Sequence, residues 1–288
     1  MRTDTRGVSL VELLVGMVVV GILGAALVRT IVMDAKITED REAWRNARQV
    51  TRSAANMLLA DLRMVETGAG VETASADGHN LVVRVPYAFG VLCATNGSTT
   101  TLALLPADSV ALAAGGFAGF AWRDQATGGY SYVTSGTSLN LSGTASTCTG
   151  AQITPIPAAG SSPAGRVVVV GGTVPSTLPA GTVMFLFRRI QYEFKASAIV
   201  PGQTGFWRTV LASGAAEELA APFDAAARFR YYVAGAATAQ AASPSPLSTI
   251  RGIEAQMDGR SERTPRFSST GSRVLRLATS VYFRNAPN

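Results

Sequence analysis

The residue of this chain most exposed to chemical demand is a carboxylate inside an apolar run. Glu12 is the one charged residue in Val8–Val28, a stretch of 21 residues reading VSLVELLVGMVVVGILGAALV. A carboxylate at the centre of a bilayer costs about 3 kcal/mol on insertion scales, and such residues are functional sites by default. Its natural partner is a cation at the same depth. Cleavage after Gly7 would create one, the α-amino group of Val8, on the same chain or on a neighbour. The Gly7 and Glu12 spacing therefore points to a processed terminus whose amine meets the carboxylate.

Elsewhere the chemistry-bearing residues are sparse. Cys93 and Cys148 are the two cysteines. In an exported head they are able to form one disulfide, whose loop closure is worth about 4 kcal/mol by chain entropy; the sequence leaves bonded and free states equally open. His79 is the one histidine, and there is no CxxC pair, so no metal site is expected. Its D-G-H-N context reads as a surface turn, not as the setting of a general base. There is no G-x-S-x-G, P-loop or HExxH, so an enzyme is not expected and no cofactor is implied. Arg260, Arg263, Arg266, Arg273, Arg276 and Arg284 form a basic C-terminal run. Clustered, they would contact DNA phosphates. Alternate strand residues point to opposite faces, so a solvated face or a subunit contact competes with that reading. The net charge of +6 permits anionic partners without requiring them.

These residues need elements to carry them. Val8–Val28 approaches the roughly 20 apolar residues that cross a bilayer as a helix. Arg2 and Arg6 precede it, which places the N-terminus in the cytoplasm and everything after Arg29 outside. A cleaved secretory signal would have an apolar region of about 7–15 residues followed by a break; here a helical pattern continues. A plain signal anchor fits the length but gives no reason for Glu12. From Asp34 to Glu66 there is neither proline nor glycine. Trp44, Ala47, Val50, Ala54, Leu58, Leu62 and Val65 recur at steps of three and four, a helix stripe, with Gly68 as the stop. The expected helix runs from Val8 to about Val65, roughly 58 residues and near 87 Å.

The string Arg6–Glu12, R-G-V-S-L-V-E, resembles the type III signal of type IV prepilins and pseudopilins. The resemblance implies that a membrane aspartyl peptidase cuts after Gly7, that Val8 becomes the N-methylated terminus, and that Glu12 neutralises the amine of an adjacent subunit. Two departures stand out: Val8 occupies a position usually held by phenylalanine, and Arg29 one that is often proline. Gly16, Gly21 and Gly24 remain as points of flexing or of close helix packing.

After Gly70 the sequence turns to short alternating apolar runs. Leu81–Val85, Thr101–Leu105, Val167–Val170, Val183–Phe187, Ile190–Phe194, Phe206–Leu211, Phe229–Val233, Ile250–Met257 and Leu275–Phe283 read as strands. Residues 94–162, poor in charge, read either as long loops or as an inserted β-subdomain. Arg189–Phe194, Trp207–Val210, Glu217–Phe223 leading into FRYYV, and the closing LRLATSVYFRN resemble the C-terminal half of PilW-type minor pilins and the related J-type pseudopilins.

The expected fold is α+β and pilin-like, a long N-terminal helix packed on an antiparallel sheet. Its parts are a leader 1–7, a membrane and assembly half 8–33, an amphipathic exported half 34–66 and a β-rich head 71–288. The resemblance implies a minor pilin that initiates or caps a type IV pilus. A J-type pseudopilin of a type II secretion complex and an adhesin or DNA-binding subunit are the alternatives. The partners implied are other major and minor pilins, prepilin peptidase and the inner-membrane assembly platform.

Overall fold

The computed structural model describes residues 9–141, 148, 165–262 and 274–283. Helix α1 (Leu10–Leu62) is 53 residues long, about 80 Å at 1.5 Å per residue. It starts on a capping box. The Ser9 hydroxyl accepts from the Val11 N–H at 3.4 Å, and the Glu12 carboxylate accepts from the Ser9 N–H at 3.1 Å. The helix continues through Gly16, Gly21 and Gly24. It ends three residues before the expected Val65. There the chain turns, with the Val65 N–H on the Leu62 carbonyl, so that Val65 enters the core. Gly68 takes φ +82° in that turn instead of closing the helix.

The buried face of α1 keeps most of the expected stripe and departs from it at Trp44. Ala43, Ala47, Thr51, Ala54, Ala55, Leu58 and Leu62 are buried, whereas Trp44 is 41% exposed. The upper half of this face is made of small residues because a strand backbone lies against it. Thr51 fits there since its hydroxyl donates to the Ala47 carbonyl at 2.8 Å and hides its polarity inside the helix.

Thirteen strands form the head, and every pairing among the described residues is antiparallel. They are β1 (Val71–Ala74), β2 (Asn80–Asn96), β3 (Thr99–Leu104), β4 (Gly119–Arg123), β5 (Tyr130–Val133), β6 (Leu139–Asn140) and β7 (Arg166–Gly171). Then follow β8 (Val183–Ala196), β9 (Thr204–Val210), β10 (Ala215–Phe223), β11 (Arg228–Val233), β12 (Ile250–Arg260) and β13 (Val274–Tyr282). The main path runs β11-β12-β10-β9-β8-β2-β3-β7-β6; β13 pairs with β12, β1 with β2, and β4 with β8 and β5.

Two long strands, β2 and β8, form the spine of two lobes. At one end, Leu58 and Leu62 of α1 pack on Tyr192, Phe206, Phe229 and Met257. At the other, Leu92, Leu102, Leu112, Phe120, Val168 and Leu186 form a second core. Between them the β2–β8 register shifts at Pro86 and Ala88. A proline donates no ladder hydrogen bond and is tolerated at such a bulge. The two runs Val183–Phe187 and Ile190–Phe194 are thus one strand. Arg189, between them, stays in the ladder opposite Arg84 and donates from Nε to Glu72 Oε2 at 2.7 Å.

The described part of residues 94–162 holds β3 to β6 and helix α2 (Pro106–Ala113). Proline stands in the first turn of α2, where its missing N–H costs nothing. Asp108 Oδ1 accepts the Phe89 N–H at 2.9 Å and ties this short helix to β2.

One polar cluster joins the foot of α1 to the sheet. Asp61 Oδ2 accepts from Arg208 Nε at 3.1 Å and from the Tyr192 hydroxyl. Burial, followed by the neighbouring Asp61 charge, pushes the Tyr192 hydroxyl upward in pKa, so it stays a donor. Removing one partner of a mostly buried charge pair leaves the other uncompensated. Asp61→Ala is therefore expected to destabilise the folded chain by about 3 kcal/mol. Asp61→Asn should cost less because it keeps an acceptor; equal losses in denaturant melts of the two variants would contradict this account.

Candidate functional site

Between Leu10 and Met33 the large apolar side chains are 44–75% exposed. No described part of the head covers them, and α1 is long and apolar enough to cross a membrane. Side chains of this size gain about 1.5–3 kcal/mol each when fully buried. Lipid or helices of other chains must supply that burial.

Glu12 stands at the third helical position of this uncovered segment. The first turn of a helix presents unpaired N–H groups and a partial positive charge, both of which favour a carboxylate. Here that carboxylate makes a hydrogen bond to the Ser9 N–H. An ionised carboxylate offers about four acceptor sites, so its box bond leaves room for an ammonium. Ser9 directly follows Val8, so the amine of a chain cut after Gly7 would lie one residue from this bond. Gly7 and Val8 themselves lie outside the described residues. Ser9 was not singled out by its spacing to Glu12, although S-x-x-E before an apolar run is the signature of the box.

The remaining candidates fall elsewhere. Cys93 and Cys148 are joined, S–S 2.06 Å, and close a separation of 55 residues beside Ala103 and Val167. By chain entropy such a closure is worth about 4 kcal/mol, and it anchors Cys148 to β2. His79 Nδ1 meets Asp77 Oδ2 at 3.1 Å in the turn before β2. Hydrogen bonds from Ser75 and then His79 pull the Asp77 carboxyl down to about 2, so these residues hold a turn. Of the C-terminal arginines, Arg260 and Arg276 are described, while Arg263, Arg266, Arg273 and Arg284 lie outside the described residues. Arg276 is registered opposite Asp258, and Arg260 follows two residues along the same strand. Cross-strand partners share a face, so a carboxylate sits among these two arginines. Among the described residues no group of three His, Cys, Asp or Glu is placed to hold a metal ion.

Residues 2–28 match the prokaryotic N-terminal methylation motif. No curated protein and no solved structure matches the chain. The motif is that of type IV prepilins and pseudopilins. The match is confined to the N-terminal segment, and the long helix packed on an antiparallel sheet is a pilin-like α+β arrangement.

Proposed function

We propose that the chain is a minor subunit that helps to initiate or cap a type IV pilus, after cleavage following Gly7 and N-methylation of Val8. The observation that carries this reading is Glu12, a carboxylate with spare acceptor capacity on a helix whose apolar half no part of its own head covers. Assembly meets both needs at once. Neighbouring helices cover the apolar surface, and a neighbour's terminal amine meets the carboxylate.

The preference for a minor subunit rests on the head. The segments that resemble PilW-type minor pilins and J-type pseudopilins fall in β8, β9, β10, β11 and β13, all within the lobe whose core takes in Leu58 and Leu62 of α1. The second lobe adds bulk that a repeating shaft subunit would have to accommodate at every step.

Mass spectrometry of the mature protein from native cells is expected to give an N-terminus at methylated Val8. An intact leader in those cells would overturn the processing assignment. Deleting the gene is expected to abolish pili while protein secretion continues. The opposite pattern would instead assign the chain to a type II secretion pseudopilus.

A further inference from the structure

Arg41, Arg45, Arg48 and Arg52 are spaced by four, three and four residues along α1, and all four are exposed. At 3.6 residues per turn they share one face, over about 16 Å of helix. Among the described residues none of them forms an ion pair. From Arg45 to Ala60 the helix carries no carboxylate at all. Like charges at these spacings repel one another, so the face gains from an anion laid along it. Arg45, Arg48 and Arg52 line a groove with Gln49 and Ser53. Gln49 and Ser53 continue into a second groove, of roughly 340 Å³, walled by Leu219 and Pro222 of β10.

We propose that this four-arginine face docks the acidic flank of a different filament subunit. The inference rests on the reading of the chain as a pilus subunit. Whatever helix covers the apolar half of α1 continues upward beside residues 41–52. Membrane lipid does not reach the face. Arg41 lies about 12 Å and Arg52 about 28 Å beyond Met33 along the axis, whereas headgroup charge is screened within about 8 Å at physiological ionic strength. The head of a second copy is net basic, with 16 Lys and Arg against 11 Asp and Glu in residues 67–288, and the carboxylates its helix offers, Asp34, Glu39, Asp40 and Glu42, lie at or below the lower end of this face and are interspersed with Lys36 and Arg41. The complementary occupant is a sister subunit with carboxylates in a row along its helix or sheet edge. Opposed potentials of this kind fix register and partner choice.

The test places a photo-reactive residue at position 49 of the full-length chain in native cells and scores adducts in sheared filaments. The expected adduct is with another subunit that carries an N-terminal methylation motif, mapped to an acidic segment. Arg45→Glu with Arg48→Glu should lower its yield at least tenfold, and Asp or Glu→Lys changes in the mapped segment should restore it. Arg45→Gln with Arg48→Gln should give an intermediate loss. Because the sites are exposed, melting of the variants should be unchanged, which separates lost docking from lost folding. Adducts confined to copies of this chain, to lipid or to nucleic acid would overturn the proposal. So would a yield indifferent to charge reversal, or no adduct from a chain present in the filaments. Absence of the unsubstituted chain from filaments would instead overturn the subunit reading itself.

Discussion

Gly259→Ala is expected to loosen α1 from the head and to destabilise it by about 3 kcal/mol, the upper end for overpacking. A Cβ at this position would stand 1.9 Å from Thr51 Oγ1 and 2.7 Å from the Ala47 carbonyl oxygen. The first contact belongs to a short side chain with no free space, and the second to helix backbone. Neither relaxes without moving the helix. For a head of this size the melting temperature should fall by about 10 °C. Thr51→Ala in the Gly259→Ala background removes the hydroxyl contact but not the carbonyl one, so it should recover only part of the loss. Full tolerance of Gly259→Ala in thermal melts would show that the helix is not seated as described.

Glu12→Ala is expected to leave cleavage after Gly7 largely intact while lowering incorporation into filaments by roughly a hundredfold. That figure is the occupancy equivalent of about 3 kcal/mol for an unneutralised charge in lipid. The substitution also removes the acceptor of the capping box, worth about 1 kcal/mol. Glu12→Gln separates the two effects, since an amide oxygen can still accept from the Ser9 N–H but carries no charge. If charge neutralisation drives assembly, Glu12→Gln should incorporate almost as poorly as Glu12→Ala. Near-normal incorporation of Glu12→Gln, measured in sheared filaments against membrane-held protein, would assign Glu12 a capping role alone.

The N-terminal site is legible in the sequence because its requirements are local. A carboxylate in an apolar run needs a cation, and a glycine five residues before it offers the place to make one. The helix was legible in extent and in most of its facing, since Ala47, Ala54, Leu58 and Leu62 of the stripe are buried, whereas Trp44 is exposed and Ala43 and Thr51, which the stripe omits, take places beside the sheet. Close approach to Gly259 selects small side chains there, and a contact between residues 208 positions apart leaves no periodic trace. Val183–Phe187 and Ile190–Phe194 are one strand because Glu72, far away in sequence, receives Arg189, and Arg188 lies over the Tyr87 ring at 5.5 Å. Helix α2 escaped detection because eight residues are too few to show a helical period. The leader residues Gly7 and Val8, together with most of the C-terminal arginines, lie outside the described residues.

The seating of α1 has a mechanical side. Among the described residues the helix is buried in the head from Ala43 to Leu62, so in the filament proposed above tension would travel from helix to helix through the uncovered half. The head then hangs beside the load path rather than within it. A pull that slides subunits along one another would therefore load neither the Ala47–Gly259 joint nor any β-strand ladder. The second lobe, tied back by Cys93 and Cys148, would ride through such a pull unstrained. Single-filament stretching should therefore extend the fibre with every strand pairing of the head in place.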